Sequence, residues 1–255
     1  MARGATGCGQ CRPVQVGVLL EVCVDDALGL AEAVAGGADR VELCAALGLG
    51  GLTPSVGLMA VAAGCGVPVM AMIRPRAGGF EFGAAEVAVM KADIRAVRAA
   101  GLAGVVLGAT RGDGLDEAVL GELVAEAAGL DMTLHRAVDL VGDVEAAVEV
   151  AVRLGFRRVL SSGGARVAHE GIGRLGEMMR AADGRLSVMP GSGVSVESWH
   201  VLVGLGVREV HASCSVAVGG KVDAFGFVTG GERRTDAGRV AALKAVLMRS
   251  GPGPI

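Results

Sequence analysis

The chain has 255 residues, of which 52% are hydrophobic, 20% are charged and 43 are glycine, with a net charge of −3 and a pI near 5.8. This composition belongs to a well-cored, turn-rich globular protein rather than a disordered one, and its acidic balance leaves no basic footprint for DNA, RNA or an anionic membrane. Aromatic residues make up 2% and tyrosine is absent, which removes the stacking platforms used for single-stranded nucleic acid.

Residues 1–13, "MARGATGCGQCRP", read as a tail, and Cys8 with Cys11 forms a lone C-x-x-C that supports neither zinc nor redox chemistry. The apolar run from Pro13 has the look of a signal segment, yet Glu21 interrupts it and Asp25 and Asp26 follow where small residues belong. The six cysteines, at 8, 11, 23, 44, 65 and 214, are therefore expected to be reduced thiols of a cytoplasmic protein.

A first strand is expected at Val18–Cys23, followed by the helical "DDALGLAEAVAGGA" and a second strand at Arg40–Cys44. The uncharged stretch from Ala45 to Ile73 is broken by Gly48, Gly50, Pro54, Gly64 and Pro68 into pieces too short to span a bilayer. Six further strands are expected at Pro68–Ile73, Gly104–Ala109, Met132–Arg136, Arg158–Ser162, Leu186–Pro190 and Glu209–Ser213. Helices are expected at Glu86–Gly101, Asp116–Ala128, Asp143–Leu154, Ile172–Ala182, Val196–Val203 and Thr235–Met248; the first of these places Val87, Met90, Ile94 and Val97 on one face. Eight apolar strands alternating with helices predict a single α/β domain over residues 14–250, a (β/α)8 TIM barrel, with an open doubly wound sheet as the other arrangement. Residues 251–255 read as a second tail.

Polar groups gather late in these strands, where barrel enzymes assemble their sites. Because side chains alternate along a strand, Glu21 shares a face with Cys23 and Glu42 with Cys44, and carboxylates are expected to point into the barrel near its mouth. "MIRPR" delivers Arg74 and Arg76, "LHRAVD" delivers His135, Arg136 and Asp139, and "HASC" delivers His211. Glu21, Glu42, His135, Asp139 and His211 are thus candidate acid-base groups. "SSGG", with Ser162, Gly163 and Gly164, and "GSG", with Gly191 and Gly193, are candidate backbone cradles for a phosphate or carboxylate, helped by Arg74, Arg76 and Arg136. Cys23 and Cys44, with Met70 and Met72, offer soft sulfur to Cu(I), although by spacing alone buried thiols and thioethers more often serve a core. Three functions stay open on these residues: copper binding, an enzyme acting on a small phosphorylated or carboxylated metabolite, and a non-catalytic interaction protein. The expected partner is a copper ion or a small anionic metabolite, with no nucleotide cofactor, nucleic acid or membrane; homo-oligomerisation is left open.

Taken together, "LEVCVD", "GGADRVELC", "GGLTPS", "MIRPR", "LHRAVD", "SSGG", "MPGSGV" and "VHAS" resemble, in order and spacing, the CutC copper-homeostasis family over residues 18–218. The resemblance implies a TIM barrel, a cytoplasmic location and a role in copper handling, with Cys23 and Cys44 matching the thiols proposed as Cu(I) ligands in that family. The chain departs from the pattern after "MIRPR", where "AGGFEFG" has Gly79 and Phe82 in place of an aspartate and a tyrosine, and in "GSG", which replaces "GGG".

Overall fold

Short runs of valine, leucine and methionine with no polar face need cover on both sides, and all eight expected runs become strands of one parallel sheet. The computed structural model describes residues 17–218 and 233–250; the tails expected at 1–13 and 251–255, with Cys8 and Cys11, lie outside the described residues. The strands are β1 (Leu19–Val24), β2 (Arg40–Leu43), β3 (Val69–Met72), β4 (Gly104–Leu107), β5 (Asp131–Leu134), β6 (Arg158–Ser161), β7 (Ser187–Pro190) and β8 (Glu209–Ala212). They pair in the order β8-β1-β2-β3-β4-β5-β6-β7, parallel throughout. An order that begins with the last strand and ends with its predecessor is that of a nearly closed barrel, and it excludes the doubly wound sheet.

Among the described residues eight α-helices follow the strands: α1 (Ala27–Ala35), α2 (Val56–Ala62), α3 (Ala84–Ala100), α4 (Glu117–Glu126), α5 (Val144–Arg153), α6 (Ile172–Ala182), α7 (Val196–Leu202) and α8 (Ala237–Arg249). Their starts are chemically marked: the side chains of Asp26, Ser55, Asp116, Asp143, Ser195 and Asp236 each accept a backbone N–H of the first turn. The helix α2 was not expected. It carries no charged residue to contrast with its apolar face, so its periodicity is invisible in the sequence, and only the cap at Ser55 announces it.

One expected boundary is also corrected. The fifth strand stops at Leu134 instead of running to Arg136, because Ala137 N–H donates to Nδ1 of His135 at 3.2 Å and the chain turns into a short 3-10 helix over Arg136–Leu140. Two small antiparallel pairs, Thr110–Arg111 with Gly114–Leu115 and Ser215–Ala217 with Arg233–Thr235, follow β4 and β8.

The main apolar core fills the layer between strands and helices, and includes Leu20, Leu43, Ile73, Leu107 and Leu134 on the outward faces of their strands. The barrel interior is different. Its apolar part is a small cluster of Cys44, Met70, Met72 and Val106. Below it four strands open on a charge, and these charges interlock across the barrel. Arg40 bridges Glu21 and Glu209, the latter at 2.5 Å; Arg158 reaches Glu209 at 3.4 Å and Asp131 at 2.8 Å. Gly104 lets β4 close against β5: a Cβ there would lie 2.2 Å from the carbonyl oxygen of Asp131.

Candidate functional site

The register of β1 and β2 decides what the two Glu-x-Cys pairs do. Glu21 lies beside Arg40, and Cys23 lies beside Glu42, so the two strands are offset by one inward-facing level. The glutamates are therefore on different floors of the barrel, and the repulsion of Glu42 by Glu21 is a smaller influence on Glu42 than burial or His211. On the other side of β1, Glu21 lies beside His211 of β8.

This offset corrects the expectation for Glu21. It is fully buried and is not among the residues lining the mouth cavity; one of its oxygens takes the guanidinium of Arg40 and the other accepts Nδ1–H of His211 at 2.9 Å. Burial alone would raise its carboxyl, but Arg40 and His211 outweigh burial and hold it at about 2. Glu21 is thus a fixed anion that orients His211.

With Nδ1 engaged, Nε2 of His211 points to the upper floor, 3.6 Å from Oε2 of Glu42. Cys23, Glu42 and His211 each bring a ligand atom to within 4.8 Å of one another, and all three are buried. Burial disfavours an imidazolium at His211, but Glu42, Cys23 and Glu21 outweigh it and hold the ring well above its ordinary value. Glu42 shifts up, chiefly through burial and despite His211, and its Oε1 has no hydrogen-bond partner among the described residues.

Cys44 is not one of these three but borders them through Glu42. It is fully buried beside Met70 and Met72, its thiol donates to Oε2 of Glu42 at 3.5 Å, and burial followed by Glu42 pushes it well above the ordinary thiol range. A group held so firmly as a thiol is a poor metal ligand. The sequence pairs Cys23 with Cys44; the fold gathers Cys23 with Glu42 and His211.

These groups open on a cavity of about 330 Å³ at the C-terminal mouth, where Cys23, Glu42 and His211 form one wall and Arg74, Phe80 and His135 another. His135 is buried, and burial lowers its imidazole to about 3, so it is neutral. Its ring lies 4.8 Å from that of Phe80, and the guanidinium of Arg74 stands 4.9 Å from the same ring.

Other expected site residues are drawn elsewhere. Arg76 leaves the site altogether: it ion-pairs with Glu86 and lies over Phe82, half-exposed. The "SSGG" turn does form an anion cradle, with both glycines at positive φ (70° and 71°), but its anion is internal. Asp139 accepts from Ser162 N–H at 3.1 Å, Gly164 N–H at 3.1 Å and the Ser161 hydroxyl at 2.5 Å, and Arg136 closes the ring at 2.8 Å. Gly163 N–H turns instead to the Ser161 hydroxyl. Asp139, Ser162, Gly163 and Gly164 thereby serve one another, and Arg136, though it reaches the cavity, is committed to Asp139. Gly191 packs beneath Leu160 and His211, where a Cβ would lie 2.4 Å from Leu160 Cδ1, while Gly193 reaches the cavity wall.

Burial would raise the Asp139 carboxyl, but its bonds from Ser161, Arg136 and Ser162 outweigh burial and lower it. Asp139→Asn, which turns donors against donors, is expected to cost about 1–3 kcal/mol at neutral pH. The sign follows from the lowered carboxyl: the stabilisation is complete above its ordinary value of 3.8 and is lost as pH falls below it. Urea denaturation across that range should show the gap to wild type closing on the acid side.

The chain also has matches among known proteins. The family model described as the CutC family covers residues 18–216. The chain belongs to the CutC family. A CutC family protein of Sinorhizobium medicae is 54% identical over 235 residues, 90% of this chain and 96% of that protein. The human copper homeostasis protein cutC homolog is 44% identical over 200 residues, 77% of this chain and 73% of that one. A crystal structure of CutC from Streptococcus agalactiae superposes with a TM-score of 0.71 at 30% identity, covering 77% of this chain and 98% of that one. The fold alone is shared with thiamine phosphate pyrophosphorylase from Pyrococcus furiosus, at a TM-score of 0.59 and 13% identity over 91% and 96% of the two chains. Among the described residues no helix is long and apolar enough to cross a membrane.

The charged floor beneath the site, Arg40, Asp131, Arg158 and Glu209, was missed by sequence reasoning that looked only at strand ends. Its signal was present: "RVELC", "DMTL", "RVLS" and "EVHA" each open an apolar strand on a charge.

Proposed function

We propose that the protein handles Cu(I), holding one ion between Cys23 Sγ and His211 Nε2 with Glu42 as a third, weaker donor. The observation that carries this reading is the convergence of the three groups within 4.8 Å while the far nitrogen of His211 is fixed by Glu21. A carboxylate behind a histidine is the usual support of a metal-binding imidazole, since it sets which nitrogen faces the ion. Thiolate and imidazole suit Cu(I), whereas the carboxylate is hard and binds it less well. The name of the human relative, copper homeostasis protein, supports the same cargo.

The family resemblance points to Cys23 and Cys44 as a pair, but the thiol of Cys44 is the less suited of the two. It is sealed beneath Glu42 and held protonated, so its part is to brace that carboxylate. Copper(I) and free thiols persist together under reducing conditions, and a cytoplasmic setting is therefore part of the proposal.

Anaerobic competition against a chromogenic Cu(I) chelator separates the two cysteines. Cys23→Ser is expected to lose at least about a hundredfold in affinity, and Cys44→Ser to stay within about tenfold of wild type. Equal losses from the two variants would restore the cysteine pair as the site, and no loss from either would overturn copper binding in the barrel.

A further inference from the structure

The second wall of the cavity holds groups that a copper ion does not use. Arg74 is 6% exposed, yet it makes no salt bridge among the described residues. Its terminal nitrogens donate to three backbone carbonyls, Leu49 at 3.0 Å, Gly51 at 3.1 Å and Gly78 at 2.7 Å. Those dipoles hold the guanidinium in place without neutralising it, and its Nε–H is buried with no acceptor. A buried cation normally has a counter-ion.

Beside it, His135 presents a second unused donor. Its Nδ1 accepts Ala137 N–H, so the proton of the neutral ring sits on Nε2, and Nε2 is likewise buried without a partner. Phe80 stands against both residues and fixes their spacing. The neighbouring charges do not supply the missing anion: Glu21 is taken by Arg40 and His211, Glu42 faces His211, and Asp139 is enclosed by its own cradle with Arg136.

The geometry points to a binding site for a small organic carboxylate bearing a neighbouring carbonyl or hydroxyl oxygen, its carboxylate on Arg74 and its second oxygen on His135 Nε2–H. A cavity of about 330 Å³ admits a ligand of that kind. A carboxylate is favoured over a phosphate because this wall offers a single cation, Arg74, beside a neutral imidazole, and of the two glycine-rich turns the one after β6 already holds Asp139. The site uses neither Cys23 nor His211, so it stands independently of the copper reading.

The test uses full-length protein kept metal-free with chelator, with pyruvate as the probe and acetate and inorganic phosphate as comparisons. Arginine Nε–H signals are followed by ¹⁵N NMR, and the Arg74 signal is assigned through Arg74→Lys. Pyruvate should shift that one signal saturably and bind more tightly than acetate or phosphate. His135→Gln should weaken pyruvate about tenfold and leave acetate unchanged, a readout that survives even where an Arg74 variant folds poorly. An Arg74 signal indifferent to pyruvate, or phosphate binding more tightly than pyruvate, would overturn the assignment. Because no copper is present, failure here leaves the Cu(I) reading standing.

Discussion

Replacing Arg40 with methionine is expected to cost about 3–5 kcal/mol of folding stability at neutral pH. Arg40 is 6% exposed and is the shared cation of Glu21 and Glu209, both buried. Methionine fills much of the same space, so the loss is electrostatic: two carboxylates remain inside the barrel, with only Arg158 and His211 left to face them. Burial alone would weaken the charge on Arg40; Glu21 and Glu209 reverse that and hold it more firmly protonated than a free arginine.

The pH dependence fixes the cause. In the wild type Glu21 titrates at about 2 against an ordinary 4.5, so its contribution is complete above 4.5 and disappears as pH falls towards 2. Without Arg40 the carboxyl protonates at higher pH, and the deficit of the variant should shrink through that window. Urea denaturation at neutral and acid pH measures it directly. A deficit that does not change with pH would mean that packing, not charge, explains the loss.

The second large effect concerns copper. Affinity for Cu(I) is expected to rise at least about tenfold per pH unit through neutrality. Without a bound ion, His211 is held protonated because Glu42, Cys23 and Glu21 surround it and outweigh the effect of burial. An ion bound at Nε2 must expel that proton, and lower pH therefore favours the empty site. Chelator competition at several pH values, corrected for the chelator's own titration, gives the slope. A flat profile would mean that His211 is not a ligand.

The barrel was legible because each strand is an apolar run with a sharp boundary. The observed strands lie within one or two residues of those expected at both ends, and the departures from expectation have local causes. His135 draws its own backbone into a turn through Ala137, and α2 has no charge to outline its face. The family was legible from motifs that lie largely at the same strand ends, within the residues 18–216 that the family model matches.

The site was only half legible. Sequence places Glu21 with Cys23 and Glu42 with Cys44 on inward faces, but it does not carry the stagger between neighbouring strands. That stagger sets Cys23 level with Glu42 and sinks Glu21 to the floor of Arg40. It separates two like charges, turns one into a support for His211 and leaves the other at the cavity. The "SSGG" turn shows the same limit. Its geometry was readable, but the anion that fills it comes from Asp139, a partner on a different strand-end turn.

The proposed seat of one Cu(I) ion, between Cys23 and His211, is open to direct observation. Crystals of the protein loaded anaerobically, measured on both sides of the copper absorption edge, locate the ion without reference to any activity. A single anomalous peak is expected at about 2.0–2.3 Å from Cys23 Sγ and His211 Nε2, bond lengths like those of other thiolate and imidazole sites. A peak bridging Cys23 and Cys44, or copper found only outside the barrel mouth, would contradict it.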